Sequence, residues 1–212
     1  MSHAPLGLVC SILTAWTLAA SQMADLPTRA PLVLKSQGLT MATLARDHKV
    51  QGLDLDAGTL LQFRPDGSLE GLRLVRTTVI SGVPLPADTR VTLDSEGRLD
   101  MCFLPAEAEV QGLRLRGGGH NWMTCFHPNG RLRLAWLARD ETIDGIPCRR
   151  TTFPTEVLRL KGWGGTHFHP SGRLARCTLA RDAVIRGGTY TAGTRLHFDS
   201  EGQLLSPAKG LR

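Results

Sequence analysis

Aromatic residues and lysine are scarce in this chain of 212 residues. It has one Tyr, aromatic residues make up 5% of the sequence, and most of the 25 basic residues are Arg. The longest mostly apolar run, Leu6–Ala20, is shorter than the roughly 20 residues of a membrane-spanning helix. No amphipathic helical pattern longer than about two turns follows residue 30. These absences argue against a multi-span membrane protein and against a helical bundle.

The short motifs that identify common enzyme classes are also missing. We find no G-x-S-x-G, no H-E-x-x-H, no P-loop and no Rossmann glycine pattern. The composition, with 42% hydrophobic and 21% charged residues, is ordinary for a folded protein, and the length suits a single domain. These observations favour a non-catalytic protein, with an enzyme as the alternative.

The first residues resemble an export signal. Leu6–Ala20 has the length of a signal-peptide core, and Ala19 and Ser21 suit the small-residue positions of a cleavage site before Gln22, although no Lys or Arg precedes the core. We expect a mature protein without a transmembrane helix, located in the periplasm or outside the cell. The expected organisation is a signal peptide at 1–21, a linker at 22–40, one β-repeat domain at 41–205 and a tail at 206–212.

Glycine is abundant, with 23 residues, and recurs in a unit of about thirty residues. One column consists of Gly67, Gly97, Gly130, Gly172 and Gly202, each followed two residues later by Leu. A second column consists of Gly52, Gly82, Gly112, Gly145 and Gly187. A repeat of this kind predicts stacked units that bury their apolar faces against one another. We predict an all-β repeat protein, either a β-solenoid or an elongated antiparallel meander.

Each unit contains a recognisable turn between two short strands. In FHPNGRL at 126–132, the H-P-N-G segment fits a type I turn followed by a left-handed glycine. Before the turn, apolar residues alternate with polar ones, as at Leu61 and Phe63. This period of two predicts a strand with one buried face.

The turn segments also carry a resemblance to known repeats. FHPNGRL at 126–132, VTLDSEGRL at 91–99 and FDSEGQL at 198–204 resemble the YD-type repeats of secreted bacterial Rhs proteins and the Gly-rich hairpins of MORN-type repeats. The resemblance covers only these turns, and the repeats of those families are shorter and rich in Tyr. It implies a β-hairpin repeat protein of bacterial type and assigns no catalytic residue.

Two consecutive units carry insertions at the same point, around 116–122 and within 149–165. Insertions at one register of a stacked repeat emerge side by side, often on the binding face. Their rings and hydrogen-bond donors suit a glycan, a polyanion or an envelope protein. The net charge of +6 favours an anionic partner. We expect no specific recognition of nucleic acid. The alternative is that the two insertions are loops without a ligand that only cover the edge of the stacked units. The candidate ligand-binding residues are His120, Asn121, Trp122, Arg149, Arg150, Phe153 and Trp163.

A second hypothesis concerns metal binding. Cys125 and His127 hold the positions that His167 and His169 hold in the next unit, two residues apart on one face of a strand. Cys and His are suitable Zn²⁺ ligands, so the cluster could serve a metal-binding protein or a metal-dependent hydrolase. Against this, other units carry unrelated polar residues at these positions, as a tolerant surface would.

Besides Cys125, the expected mature chain contains three further cysteines and a recurring charged motif. Cys102, Cys148 and Cys177 occupy apolar columns, which favours small buried side chains, with a disulfide between units as the alternative. Without Cys10, which the expected signal peptide would carry away, they and Cys125 allow three pairings, and the sequence does not choose among these. The repeated A-R-D steps at 45–47, 138–140 and 180–182 predict a ladder of Arg–Asp ion pairs.

Overall fold

The computed structural model describes residues 26–29, 33–34, 40–119, 121–152 and 165–205. These ranges contain 22 β-strands and no helix, and so no helix that could cross a membrane. The strands are β1 (Val33–Leu34), β2 (Thr40–Thr43), β3 (His48–Val50), β4 (Leu53–Leu55), β5 (Leu60–Phe63), β6 (Leu69–Arg73), β7 (Thr78–Ile80), β8 (Val83–Leu85), β9 (Arg90–Leu93), β10 (Leu99–Phe103), β11 (Ala108–Val110), β12 (Leu113–Leu115), β13 (Met123–Phe126), β14 (Leu132–Ala135), β15 (Glu141–Ile143), β16 (Ile146–Cys148), β17 (Thr166–Phe168), β18 (Leu174–Thr178), β19 (Ala183–Ile185), β20 (Gly188–Tyr190), β21 (Arg195–Phe198) and β22 (Leu204–Leu205).

Twelve of the strands form one long antiparallel sheet. Their order is β1-β2-β5-β6-β9-β10-β13-β14-β17-β18-β21-β22. The other ten strands pair as five short hairpins, β3-β4, β7-β8, β11-β12, β15-β16 and β19-β20. Each repeat unit therefore contributes one hairpin to the sheet and one short hairpin beside it. The all-β prediction is confirmed, and of its two forms the described strands show the meander, with a sheet that does not close.

The two glycine columns mark the two kinds of hairpin turn. At the sheet turns the glycine has a positive φ, 80° at Gly130, and its N–H donates to the carbonyl oxygen of His127 at 2.8 Å, as predicted for a type I turn followed by a left-handed residue. At the short hairpins both central residues have positive φ, 49° at Ser81 and 77° at Gly82. That conformation defines a type I′ turn, whose twist matches the flanking strands.

One face of the sheet forms the core with the short hairpins. The predicted alternation is confirmed, because Leu61 and Phe63 are 0% and 1% exposed while Gln62 between them is half-buried. The short hairpins bury their own apolar residues, such as Ile80 and Leu85, in the same cluster. The opposite face of the sheet carries no second layer among the described strands. We call it the uncovered face.

The A-R-D aspartates hold loops instead of forming the predicted ion-pair ladder. The carboxylates of Asp47, Asp140 and Asp182 each accept a backbone N–H ten residues further along, at 2.7–2.8 Å. None of the ion pairs in the described ranges includes these aspartates, and Arg139 of the second A-R-D step pairs with Glu141 instead. The ladder prediction is therefore wrong, because a carboxylate so close to unpaired loop amides bonds to them first.

Candidate functional site

The two insertions begin at equivalent positions in neighbouring units. In units without an insertion, this loop closes with a backbone bond such as that from Gly58 N to Leu44 O. Gly118 and Thr151 make the corresponding bonds, at 3.0 and 2.9 Å, at the points where the insertions leave the common pattern. The Arg116 guanidinium then donates from Nε to the carbonyl oxygen of Thr151 at 2.6 Å. The bases of the two insertions therefore adjoin.

Trp122 packs into the base of the first insertion. Its side chain is 8% exposed, and the Arg116 guanidinium carbon lies 5.3 Å from its ring centroid. The Trp136 ring approaches edge-on at 5.8 Å between centroids, and Trp136 Nε1 donates to the Met123 carbonyl at 2.8 Å. Both contacts have favourable geometry for aromatic rings. Trp122 thus stabilises the base, and its partner Trp136 was not among the predicted residues.

The predicted cations of the second insertion lie at the surface. Arg149 and Arg150 are exposed, as is Asn121 of the first insertion. Their backbone is fixed, because Arg149 N donates to Thr178 O and Arg150 N to Asp140 Oδ1, both at 2.7 Å. Two guanidinium groups therefore project from a defined backbone. The other predicted ligand residues, His120, Phe153 and Trp163, lie outside the described residues.

The side chain of Arg150 differs from those at the same position in equivalent loops. The other aspartate-held loops present the N–H of Ala57 to Asp47 and that of Ala192 to Asp182. The fold uses only the backbone at this position, which the other aspartate-held loops fill with a methyl group. The long cationic side chain of Arg150 is therefore not required by the loop itself.

The predicted metal ligands are distributed over two settings. His127 Nε2 lies 2.9 Å from the Phe168 carbonyl oxygen, and His169 Nε2 lies 2.9 Å from that of Phe198, so both rings link one turn to the next unit. Cys125 and His167 lie on the uncovered face, separated by the strand that carries Leu134. Within the described ranges, no three His, Cys, Asp or Glu side chains converge to hold one ion.

Cys125 is shielded on the uncovered face. Its side chain is 4% exposed, and the ion pair between Arg133 and Asp100, at 3.0 Å, lies beside it. Burial raises the pKa of the Cys125 thiol, Arg133 opposes this shift, and Asp100 adds to it. A reactive cysteine needs a lowered pKa and solvent access. The setting of Cys125 gives it neither.

His167 lies in a row of basic side chains that the sequence analysis did not identify. His167 is the cross-strand neighbour of Arg176, which in turn neighbours His197, and Arg195 lies on the same strand as His197. Burial, then Arg195, lowers the pKa of Arg176. Burial, then Arg176 and Arg195, lowers the pKa of His197. The pairing register creates this cluster, and sequence spacing alone could not show which residues become neighbours.

A groove occupies another part of the uncovered face. It has a volume of about 420 Å³ and lies over Gly71, which has no side chain where the next unit has Met101. Leu60 and Phe103 contribute apolar walls, and Arg90 lies 5.6 Å from the Phe103 ring centroid. The uncovered face thus combines a concave apolar part and a basic part.

Comparison with known proteins gives no family. The chain matches no protein-family model, and no curated protein and no solved structure is significantly similar to it. The resemblance of the turns to YD-type and MORN-type repeats therefore remains a sequence observation. A function for this chain has to be argued from its own residues.

Proposed function

We propose that this protein is an exported, non-catalytic β-repeat binding protein, whose ligand is an acidic glycan or related polyanion of the cell envelope or extracellular space. Arg149 and Arg150, at the base of the second insertion, are the central contacts. The observation that carries the proposal is the exposed guanidinium of Arg150, at a position where the loop needs only a backbone N–H.

The geometry of the insertions supports this assignment. The Arg116 bond to Thr151 brings the two insertion bases together, and backbone bonds fix both arginines. Cationic side chains on an ordered backbone lose less entropy on binding than those on a loose loop. Guanidinium groups also suit sulfate, phosphate and carboxylate groups, to which they can donate two parallel hydrogen bonds.

The setting of the potential catalytic side chains supports binding rather than catalysis. The Cys125 thiol is buried with a raised pKa, and the rings of His127 and His169 contact carbonyl oxygens of the next unit. A general base would need a ring nitrogen directed at a substrate. In the described part of the chain, these groups are used for packing and for links between units.

Heparin affinity tests the proposal. We expect Arg149→Ala/Arg150→Ala to elute from immobilised heparin at clearly lower salt, since each charge-assisted contact contributes roughly tenfold in affinity. Arg150→Ala alone should leave the unfolding midpoint unchanged, because it recreates the alanine found at 57 and 192. The variants thus separate loss of binding from loss of folding.

A matched control removes the same charge elsewhere. Arg29 and Arg46 are exposed and lie near the first units, roughly 30 Å from the base of the second insertion at the usual strand spacing. Arg29→Ala/Arg46→Ala should change elution only slightly. An equal shift in both double variants would mean that net charge alone drives retention, and would contradict a site at the insertions.

A further inference from the structure

Two cysteines meet between the short hairpin β15-β16 and the sheet. Cys148, the last residue of β16, forms a β-bridge with Leu179, which follows β18. Arg149 N donates to Thr178 O at 2.7 Å, and Ala180 N donates to Pro147 O at 2.9 Å, on either side of this bridge. Cys177 precedes Leu179 by two residues, so the side chains of Cys177 and Leu179 point to the same side of that segment. Cys148 pairs with Leu179 and points to that side as well. The backbone therefore directs both cysteines into one space.

The two thiols fill this space together. Cys148 is 0% exposed and Cys177 is 2% exposed, and the Cys177 thiol is a hydrogen-bond partner of the Cys148 thiol. This contact, and then burial, raises the pKa of Cys148. Two thiols in such contact need little movement to reach a bonded geometry.

The preceding unit contains the same arrangement with different side chains. Leu115 forms a β-bridge with Leu137, flanked by bonds from Arg116 N to Trp136 O and from Ala138 N to Arg114 O, both at 2.8 Å. Ala135 precedes Leu137 by two residues, as Cys177 precedes Leu179. A leucine and an alanine satisfy the packing there. The fold itself does not require a pair of cysteines at this position.

Cys102 and Cys125 are placed differently. Cys102 is paired with Thr124 and Cys125 with Met101 across the neighbouring strands β10 and β13. Adjacent residues of a strand face opposite sides of the sheet. Cys102 therefore points into the core and Cys125 to the uncovered face, so these two cannot form a disulfide without strand rearrangement.

We propose that Cys148 and Cys177 form a disulfide that joins the short hairpin β15-β16 to the sheet and closes a ring of the chain that includes the second insertion. The bond forms during folding by exchange with a small disulfide such as oxidised glutathione. One protein thiolate attacks the reagent and releases one small thiol; the second thiolate then displaces the other small thiol. The reagent is reduced to two thiols, and these take up the two protons that the cysteines lose.

This inference goes beyond the proposed function and does not depend on polyanion binding. It concerns the chemistry of the folded chain, so refolding in vitro tests it whatever the compartment of the protein. Export would supply an oxidising environment in the cell. A failure of heparin binding would leave the disulfide untouched, and a failure of the disulfide would leave the two arginines in place.

Peptide mapping of the refolded full chain provides the test. The denatured, reduced protein is refolded with reduced and oxidised glutathione, free thiols are alkylated in denaturant, and the sample is digested with trypsin without reduction. We expect peptide 140–149 linked to peptide 177–181, and the other three cysteines, Cys10, Cys102 and Cys125, alkylated. Reduction should separate the linked pair. Alkylation of both Cys148 and Cys177 in folded protein, or a link through any other cysteine, would overturn the proposal.

A stability comparison provides a second readout with a folding-compatible variant. Cys148→Leu/Cys177→Ala copies the Leu115 and Ala135 pair and should fold. We expect the oxidised wild-type protein to unfold at higher denaturant than its reduced form, and the variant to show no such difference. If reduction of the mapped disulfide leaves the unfolding midpoint of the wild-type protein unchanged, its role as a link between the short hairpin and the sheet is refuted.

Discussion

Substitution of Gly130 by alanine tests whether successive units pack as the sheet and hairpins place them. Gly130 and Gly97 hold the same turn position and have nearly the same φ, 80° and 76°. A Cβ atom at Gly97 would meet no atom within 4 Å, whereas one at Gly130 would lie 2.7 Å from the carbonyl oxygen of Ser81, in a short hairpin. The two alanine variants therefore share backbone strain and differ only in the contact with another hairpin.

The magnitudes follow from this difference. Alanine in the left-handed region costs about 1–2 kcal/mol relative to the right-handed one, and this cost applies to both variants. At Gly130 the new atom presses on backbone, which must move, and overpacking of this kind costs about 1–3 kcal/mol more. We expect Gly97→Ala to lower the free energy of unfolding by about 1–2 kcal/mol and Gly130→Ala by about 2–5 kcal/mol.

Urea unfolding followed by circular dichroism measures both changes, with the slope of the transition compared to detect any change in the surface exposed on unfolding. Gly82→Ala adds a useful reference, because its turn also has a positive φ and open space around the new atom. Equal destabilisation by Gly130→Ala and Gly97→Ala would refute the placement of Ser81 against the third sheet turn, and with it the packing of the short hairpins against the sheet.

Four further predictions concern single groups. The pKa of His197 lies below its usual 6.5 in the folded protein, so the unfolded chain binds more protons near and just below that pH. Stability should therefore fall as the pH drops through this range. His197→Phe should weaken this pH dependence, as measured by denaturation midpoints. Asp140→Ala should cost about 1 kcal/mol in unfolding free energy, since it removes the acceptor of the Arg150 N–H. Burial, reinforced by Cys125, raises the pKa of Cys102 to about 12, so iodoacetamide at pH 8 should label Cys102 only after unfolding, as mass spectrometry would show. Elemental analysis should detect no stoichiometric metal; Zn²⁺ that is lost in His167→Ala would instead establish the metal-binding alternative.

The periodic features of the fold could be predicted from the sequence because each has a local physical cause. Gly130 follows a type I turn in the left-handed region, and Gly82 completes a type I′ turn, so glycine marks both turns at a fixed spacing. Leu61 and Phe63 alternate with polar residues because one face of their strand is buried. A turn and an alternation are properties of a few consecutive residues, so they can be recognised in the sequence alone.

Arrangements that depend on pairing register could not be predicted. His167 and Arg176 become cross-strand neighbours only because β17 and β18 pair with a shift between His167 and Phe168. The shielding of Cys125 likewise requires Arg133 and Asp100, which belong to the strands on its two sides. The choice between solenoid and meander depended on the same information, because a thirty-residue period is compatible with both.

A polar residue that recurs in the repeat and a polar residue that interrupts it have opposite meanings in this protein. His127 and His169 recur at one turn position, and each contacts a carbonyl oxygen of the next unit, so recurrence here reflects a structural task. Arg150 breaks a column in which Ala57 and Ala192 suffice, although its backbone makes the same bond as theirs. Since every unit must satisfy the same packing, a side chain that the fold does not need in other units is free to serve a ligand. Function in a repeat protein of this kind is therefore best sought where equivalence between units fails.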